Sequence, residues 1–324
     1  MSIADTTRAV IAYTSIEVKK ACEKGDEEKI SNLLKHGEVL SDKDIYNCFL
    51  CPNILLNEDL AKVVTDGIRN ANYISRNNAL TFLHLAALSG CSDIVRILLK
   101  RGANINSKFV VPGLGAMPGN TLCAAASEGH LDVVKVLCSW AYQKKILLHK
   151  TLQALISACR NDHAEVAECL LSKIRIDINA VDQRYGSPLY AARYHLAVTE
   201  VLLKYGAEIN VILSDGSTFL LNAIALTSSK RFKTIALLLQ HGADVNLAHI
   251  TTGETPLMVA ALAGHSDLVN LLLDYGADVT QVNRAGQTVL DILDPMEDDK
   301  YKAIRARCKE YIETNLPTYK HILK

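Results

Sequence analysis

The sequence has no apolar run that reaches the roughly 18 residues a membrane-spanning helix requires. Its first fifteen residues, MSIADTTRAVIAYTS, also lack a basic stretch followed by an apolar block, which is the pattern of a secretory signal. We therefore expect no membrane insertion and no export by the general secretory route.

Net charge is also absent. In a chain of 324 residues, 35 lysines and arginines balance 35 aspartates and glutamates. Proteins that bind nucleic acids or anionic membranes usually carry an excess of basic residues, because contacts to phosphates dominate their affinity. The balance predicts that nucleic acid is not a partner.

Cysteine spacing excludes two further classes. The nine cysteines are an odd number without the regular spacing of a secreted disulfide scaffold. We therefore expect reduced thiols and a cytoplasmic location, which includes the host cytosol if the chain is a bacterial effector. Cys48 and Cys51 are three positions apart, but no second pair with metal-ligand spacing follows, so no metal site is predicted.

Signatures of catalysis are missing as well. The sequence contains no phosphate-binding loop, no nucleophile elbow and no pair of catalytic carboxylates. We therefore predict that the protein is not an enzyme and that it holds no cofactor.

What the sequence does contain is internal repetition. The pattern of the segment from Thr81 to Asn106 recurs from Gly253 to Thr280, with apolar residues and turn glycines at corresponding positions. Units of roughly 33 residues cannot each bury a core alone and must stack on their neighbours. The repetition therefore predicts one elongated domain, although the length alone suggests two.

Each unit has the pattern of a helix, a turn, a second helix and an extended finger. In one unit, Thr255 before Pro256 predicts the start of the first helix and Gly264 predicts its end. Gly276 ends the second helix in the same way. The second helix places apolar residues at helical spacing, at Leu268, Val269, Leu271, Leu272 and Leu273.

Two short motifs recur at nearly constant period. The first helices begin with TFLHLAA at Thr81, SPLYAA at Ser187 and TPLMVAA at Thr255. The second helices are followed by GANIN at Gly102, GAEIN at 206, GADVN at 242 and GADV at 276. Both motifs are similar to those of ankyrin repeats, whose first helix starts T-P-L-H-x-A.

This resemblance implies an all-α fold, an ankyrin-repeat solenoid of stacked helix-turn-helix units with extended fingers. It also implies that His84, His130 and His265 have structural roles, in which the imidazole ties adjacent turns by hydrogen bonds.

The repeat pattern divides the chain into three parts and about nine units. Residues 1–77 are expected to form an N-terminal cap and degenerate repeats, residues 78–293 the ankyrin repeats, and residues 294–324 a C-terminal capping helix and tail. Two irregularities interrupt the repeats. An apolar insert lengthens one finger at residues 107–118, and the unit at residues 138–150 lacks its glycine stop. Trp140, the only tryptophan, lies in that second segment and is expected to pack in the core, the alternative being a binding anchor.

The C-terminal segment admits two interpretations. Ile304, Cys308 and Ile312 share one helix face, which predicts a cap on the last repeat. The same spacing, followed by Leu316 and Pro317, is similar to the suppressor-of-cytokine-signalling box, with which some ankyrin proteins recruit elongin and a cullin as ubiquitin-ligase adaptors. Only three residues separate Ile312 from Leu316, too few for the three-helix fold of that box.

The resemblance further implies a non-enzymatic scaffold or adaptor that binds another protein or peptide. In ankyrin repeats the partner surface is lined by the fingers and by the exposed side of the first helices. Carried onto this sequence, that surface comprises Arg160, Asn161, Arg184, Tyr185, Arg193, Tyr194, Asp215, Thr252 and Glu254. Its mixed charge favours a folded protein or peptide over a polyanion.

The finger insert is a second candidate for binding a protein. Its apolar residues suit a solvated loop poorly and could mark a contact surface, at Phe109, Val110, Val111, Leu114 and Met117. The alternative is that the insert folds back over its own repeat as a small satellite core.

Overall fold

The computed structural model describes residues 26, 42–49, 65–66, 68–74, 80–109, 119–225 and 231–315. The chain divides into two compact units, Met1–Ala192 and Arg193–Lys324. Helices make up the regular structure of both units, and the sheet found in the described part of the chain is a single two-stranded ladder. The all-α prediction is therefore confirmed.

The first unit contains two rows of helices. Its helices, in chain order, are α1 (Asp42–Phe49), α2 (Phe82–Leu88), α3 (Ser92–Lys100), α4 (Thr121–Ser127), α5 (Leu131–Lys144), α6 (Thr151–Arg160), α7 (Ala164–Lys173) and α8 (Pro188–Ala191). Strands β1 (Lys108–Phe109) and β2 (Gly119–Asn120) pair antiparallel between α3 and α4. The first helices α2, α4, α6 and α8 pack in series, and so do the second helices α3, α5 and α7. This series packing lets each repeat cover the apolar side of the next.

The second unit continues with the same pattern. Its helices are α9 (Leu196–Lys204), α10 (Phe219–Ala225), α11 (Arg231–Gln240), α12 (Pro256–Leu262), α13 (Ser266–Asp274), α14 (Val289–Leu293) and α15 (Asp299–Asn315). The first helices α10, α12 and α14 pack in series, and α9 packs on α11. In each unit, then, neighbouring repeats are joined helix to helix.

Most first helices begin where a polar side chain accepts a backbone N–H, whereas α6 begins after Lys150 without such a bond. Thr255 Oγ1 accepts the N–H of Met258 at 3.2 Å, and Ser187 Oγ accepts that of Tyr190 at the same distance. These bonds satisfy an amide that has no partner inside the helix. Pro256 at the first helical position loses nothing, since its missing N–H would be unpaired there. The predicted helix starts are confirmed.

The buried face of α13 differs by one residue from the sequence prediction. Leu268, Val269, Leu272 and Leu273 are buried, whereas Leu271 is only half-buried. With about 100° of rotation per residue, the four buried side chains span an arc of about 140°, and Leu271 lies about 60° outside it. The prediction that Leu271 belongs to the buried face was wrong for this reason.

Asparagine side chains clamp several of the helix-end loops to the next one. Asn246 donates through Nδ2 to the carbonyl oxygen of Gly276 at 3.3 Å, and its Oδ1 accepts the N–H of Asp278 at 2.8 Å. Asn210 makes the same pair of bonds to the loop at Gly242, and Asn72 to the loop at Gly102. A single asparagine side chain therefore satisfies one backbone carbonyl and one backbone N–H of the following repeat. The repeating sequence motif alone did not predict this role.

The N-terminal degenerate region is described in part. Helix α1 buries Ile45 and Phe49, and the Phe49 ring lies 5.2 Å from that of Phe82 in an edge-on contact. An aromatic pair in this geometry adds packing energy beyond burial alone. Helix α1 is thereby joined to α2, the first helix of the clear repeats.

The C-terminal helix α15 packs on α13 and α14. Ile304, Cys308 and Ile312 are buried there, and the hydroxyl of Tyr301 donates to the carbonyl of Leu262 at 3.2 Å. The face that the sequence predicted as inward is therefore the inward face, and α15 caps the last repeat.

Candidate functional site

A tight turn fixes the finger between α7 and α8. Asp182 and Gly186 exchange two backbone hydrogen bonds of 3.0 and 2.9 Å. Asp182 Oδ1 also accepts the N–H groups of Arg184, at 2.9 Å, and Tyr185, at 3.1 Å, while Oδ2 accepts from Gln153 Nε2 at 3.2 Å. An aspartate that binds the amides two and three residues ahead closes the turn. Arg184 and Tyr185 are consequently held on a rigid support.

Two guanidinium groups lie against the ring of Tyr185. The Cζ atom of Arg160, at the end of α6, is 4.8 Å from the ring centroid, and that of Arg184 is 5.3 Å from it. Both arginines are exposed and Tyr185 is half-buried. Each cation over an aromatic face contributes about 0.5–1 kcal/mol at an exposed site. Three residues predicted from the sequence thus form one group, the Arg160–Tyr185–Arg184 cluster.

Asn161, next to this cluster, has a structural partner. Its Nδ2 donates to the carbonyl oxygen of Ser127 at 2.7 Å, and His163 Nε2 lies 3.1 Å from the same oxygen. These contacts join the end of α6 to the end of α4. Asn161 therefore ties neighbouring repeats together beside the cluster.

Arg193 and Tyr194 begin the second unit. The Cζ atom of Arg193 lies 4.5 Å from the centroid of the Tyr194 ring, and Tyr194 is 57% exposed. A large aromatic with this exposure contributes little to the core. The pair thus presents the exposed ring of Tyr194 on the second unit.

The remaining finger candidates form hydrogen bonds that build their own turns. Asp215 Oδ1 accepts the N–H and the hydroxyl of Ser217 at 2.9 and 2.5 Å, and these bonds hold the pKa of the Asp215 carboxyl below its usual value. The hydroxyl of Thr252 donates to Glu254 Oε2 at 3.1 Å. Thr252 also accepts, through its carbonyl, the N–H of Arg284 in the next finger at 2.9 Å. These residues lie on fingers, as predicted, but they do not gather around one aromatic centre.

Only the base of the finger insert is described. Lys108 pairs with Asn120, and Phe109 pairs with Gly119, in the β1–β2 ladder. The backbone of Phe109 is thus part of a hairpin base. The candidates Val110, Val111, Leu114 and Met117 lie outside the described residues. Whether the insert is exposed or folded back stays a prediction.

The segment without a glycine stop forms a long helix. Helix α5 has 14 residues, compared with nine in α3 and ten in α7, and it ends at Lys144 before Lys145 in a left-handed conformation. Trp140 is half-buried on this helix, with Lys144 Nζ 5.4 Å from its ring centroid. The prediction that Trp140 packs in the core was therefore only partly correct, because its side chain is half-buried. Sequence reasoning also passed over Tyr142 and Leu147, which are 88% and 78% exposed.

His84 occupies the histidine position of the repeat motif and is fully buried. Its Nδ1 accepts the N–H of Thr81 at 3.0 Å, so the proton resides on Nε2, which donates to the carbonyl of Ser107 at 2.9 Å. Burial lowers the pKa of His84 to about 4, in spite of the bond to Ser107. The neutral imidazole joins the start of α2 to the following finger, which is the structural role predicted for it.

Burial keeps three of the cysteine thiols in their protonated form. Burial raises the pKa of Cys138 and Cys308 to about 12 and that of Cys123 to about 11. Such thiols stay protonated near neutral pH and are poor nucleophiles. In the same part of the chain, no group of three histidine, cysteine or acidic side chains could hold a metal ion, and no helix is both long and apolar enough to cross a bilayer.

Stacked helix pairs joined by extended fingers define a helical repeat protein. A family model described as Ankyrin repeats (3 copies) matches residues 115–182 and 188–283, and one described as Ankyrin repeat matches residues 79–108. The chain belongs to the ankyrin-repeat family. Ankyrin repeats are protein-interaction modules and are in general not enzymes.

Several curated proteins are similar to this chain. The Ankyrin repeat and KH domain-containing protein mask-1 of Caenorhabditis elegans is 30% identical over 83% of this chain and 11% of its own length. The Ankyrin repeat protein nuc-2 of Neurospora crassa is 31% identical over 62% of this chain and 18% of its own length. The Ankyrin repeat and SOCS box protein 11 of Danio rerio is 36% identical over 33% of this chain and 35% of its own length. The chain thus corresponds to a small part of each of these relatives.

Proposed function

We propose that the protein is a non-enzymatic adaptor that binds a partner protein through the Arg160–Tyr185–Arg184 cluster. The observation that carries the proposal is the placement of two exposed guanidinium groups 4.8 and 5.3 Å from one tyrosine ring. Arginine and tyrosine are enriched among the residues that contribute most to protein interfaces. A partner would find in this cluster both an apolar surface and several hydrogen-bond donors.

Preorganisation supports the same proposal. The turn that carries Arg184 and Tyr185 is closed by Asp182, and Arg160 ends a regular helix. Less side-chain and backbone entropy is lost on binding when the contact residues are already held in place. Rigid stacked repeats are therefore suited to presenting such a cluster.

Affinity capture from the source cell, with identification of the bound protein by mass spectrometry, tests the proposal. We expect one stoichiometric partner on the wild-type protein and its loss from Arg160→Ala/Tyr185→Ala, with the melting temperature of the variant nearly unchanged. The double variant Arg96→Ala/Tyr275→Ala is a matched control, because it removes the same residue types from exposed positions at second helices. A partner that stays on the cluster variant would contradict the proposal, and so would a large loss of stability.

The pair Arg193 and Tyr194 is proposed as part of the partner surface of the second unit. Arg193→Ala/Tyr194→Ala should weaken capture of the same partner while the melting temperature stays almost the same, since Tyr194 is more than half exposed. Equal loss of stability and of binding would identify these positions as core residues.

The ubiquitin-ligase alternative has less support. The side chains that a suppressor-of-cytokine-signalling box would present, Ile304, Cys308 and Ile312, are buried in the contacts of α15 with α13 and α14. Buried side chains are not available to elongin unless α15 separates from the repeats. Recovery of elongin in the capture experiment would nevertheless favour this alternative.

A further inference from the structure

A local excess of positive charge accompanies helices α5 and α6, although the whole chain is neutral. Residues 133–161 contain no aspartate or glutamate and five basic residues, Lys135, Lys144, Lys145, Lys150 and Arg160. The nearest acidic residues in the sequence are Asp132 and Asp162, at either side of this stretch. A segment of one sign attracts charge of the opposite sign and repels its own.

Large apolar side chains are exposed within the same stretch. Tyr142 and Leu147 are the two most exposed large apolar side chains of the described residues, and Ile146 is also exposed. Trp140 is half-buried beside them in sequence, with Lys144 Nζ 5.4 Å from its ring centroid. We define the α5-end patch as Tyr142, Ile146 and Leu147 together with Lys144 and Lys145. Trp140, about 200° of helix rotation from Tyr142, adjoins the patch through its contact with Lys144.

The backbone of the α5-end patch is firmly held. The N–H of Ile146 donates to the carbonyl of Ala141 at 2.8 Å, which closes the end of α5. Asn106 donates to the carbonyl of Leu147 at 2.8 Å and accepts the N–H of His149 at 3.0 Å. Asn120 Nδ2 donates to the carbonyl of His149 at 2.7 Å. The exposure of Leu147 therefore occurs on an ordered loop.

A comparison with the regular repeats shows that folding does not require this leucine. In the regular clamp, Asn246 binds the carbonyl of Gly276, and in the irregular unit Asn106 binds the carbonyl of Leu147 in the same way. Leu147 thus occupies the position of a glycine. A glycine would expose no side chain there, whereas the leucine exposes most of its apolar surface. Burial within the chain gives no reason for a leucine at this position.

Two residues near Leu147 have a strained backbone. Lys145 and Lys150 adopt left-handed conformations, with φ of 54° and 58°. These are two of the three non-glycine residues with positive φ in the described part of the chain. Such a conformation has a steric cost for lysine, and strained residues are concentrated at functional sites.

We propose that the α5-end patch is a second docking surface, which binds an acidic segment of a partner protein that also carries large apolar side chains. The apolar residues of the segment would cover Tyr142 and Leu147, and its carboxylates would face Lys144 and Lys145. Burying the two exposed side chains supplies the hydrophobic contribution, and the positive charge of Lys144 and Lys145 selects against basic partners. A protein fits better than a membrane because only two side chains are strongly exposed, Tyr142 on the last turn of α5 and Leu147 on the ordered loop that follows it.

This surface is independent of the Arg160–Tyr185–Arg184 cluster. The patch precedes the first residue of α6 and Arg160 ends that helix, which at 1.5 Å per residue is about 15 Å long. Failure of one proposal would leave the other untouched.

Selection from a random 12-residue peptide display library, with the purified full chain as target, tests the inference. The most enriched peptides are then synthesised and titrated, and binding is followed by the fluorescence of Trp140, which is the only tryptophan and has Lys144 Nζ of the patch 5.4 Å from its ring centroid. We expect the enriched peptides to combine several acidic residues with leucine, phenylalanine or tyrosine. Their addition should change the Trp140 emission, and a rise in salt concentration should weaken binding.

Two patch variants and one control complete the design. Tyr142→Ser/Leu147→Ser should raise the peptide Kd by about tenfold or more, as for loss of interface anchors. Lys144→Gln/Lys145→Asn should weaken binding and reduce its salt dependence, and asparagine tolerates the left-handed conformation at 145. The control Val181→Ser/Val282→Ser removes two exposed apolar side chains elsewhere and should leave Kd unchanged. Melting temperatures verify that each variant folds.

Several outcomes would overturn the inference. They are a library that yields no binder, enriched peptides without excess acidic residues, and peptides that bind Tyr142→Ser/Leu147→Ser as tightly as the wild type. Vesicles of phosphatidylcholine and phosphatidylserine provide the last comparison. If the wild type binds these vesicles and both patch variants lose that binding while peptide affinity is unaffected, the patch is a membrane contact and the inference is wrong.

Discussion

The imidazole of His130 lies over Gly90 of the preceding repeat, so closely that a β-carbon on this glycine would be 2.7 Å from His130 Nδ1. The other ring nitrogen, Nε2, is 2.9 Å from the carbonyl oxygen of Leu88. His163 repeats the arrangement over Gly129, with its Nε2 3.1 Å from the carbonyl of Ser127. The histidine of one turn thus packs on the glycine of the turn before it, which joins consecutive repeats.

Gly90→Ala should therefore destabilise the protein more than a similar change elsewhere. Gly90 has a φ of +77°, so alanine would be strained there, and its methyl group would also displace His130. Gly102 has a φ of +85° with nothing within 4 Å of the added carbon, so Gly102→Ala introduces the backbone strain alone. We expect a loss of about 1–2 kcal/mol for Gly102→Ala and a further 1–3 kcal/mol for Gly90→Ala.

Urea denaturation of both variants, followed by circular dichroism, measures this difference. Because repeat proteins can unfold in parts, the transitions should also be followed by the fluorescence of Trp140. Equal losses for the two variants would mean that the His130 side chain moves aside without cost, and that the contact does not stabilise the stack.

The buried His84 predicts a loss of stability in mildly acidic solution. Its pKa is about 4 in the folded state and about 6.5 when unfolded, so between these values the unfolded chain binds a proton that the folded chain does not. The stability from this residue is therefore fully present above pH 6.5 and is lost as the pH falls towards 4. The shift corresponds to about 3 kcal/mol.

The variant His84→Gln isolates this effect, because glutamine does not titrate. We expect the free energy of unfolding of the wild type to fall by about 3 kcal/mol more than that of the variant between pH 7 and pH 4. Other titrating groups contribute alike to both proteins and cancel in the comparison. Parallel pH profiles would show that His84 does not become desolvated on folding.

The asparagine clamp should contribute measurably although it lies near the surface. Asn246→Ala removes the bonds to Gly276 and Asp278, and we expect a loss of about 1–2 kcal/mol in the free energy of unfolding. Asn246→Asp should be no better, since a carboxylate cannot donate to the Gly276 carbonyl. The control Gln240→Ala, at an exposed helix end, should stay within about 0.5 kcal/mol of the wild type. A clamp variant as stable as this control would show that water replaces both bonds.

Two adjacent leucines of α13 test the position of the buried face. Leu272→Ala should cost about 2–5 kcal/mol, because it leaves a cavity in the core, whereas Leu271→Ala should cost distinctly less. Chemical denaturation of the two variants measures both values under the same conditions. A larger loss of stability for Leu271→Ala than for Leu272→Ala would show that the buried face of α13 is centred nearer Leu271.

Local chemistry accounts for the features that the sequence could predict. Helix starts at Thr255 and Ser187 depend on an oxygen three residues before an N–H, and such a signal is visible in the chain itself. The inward face of α15 was likewise readable from the spacing of Ile304, Cys308 and Ile312. These predictions needed no knowledge of neighbouring elements.

Predictions that depended on distant partners were less successful. The expectation of a core position for Trp140 assumed that a large aromatic finds space inside, but α5 continues past the place where the regular helices end and carries this residue to the edge. The clamp between Asn106 and Leu147 joins residues 41 positions apart, and no local sequence pattern predicts it. Arg184 and Tyr185 lie on one finger, as the sequence predicted, but their grouping with Arg160 was not foreseen.

The sequence by itself determined the class of the protein, because the period of its motifs sets the helix pairs and each pair needs a neighbour to bury its apolar side. The tertiary structure decided which side chains remain for a partner. It gathered Arg160 and Arg184 around Tyr185, and it left Tyr142 uncovered at the end of α5 and Leu147 uncovered on the loop that follows. The physical reason is that helix formation depends on residues within a few positions, whereas exposure depends on the packing of segments far apart in the chain.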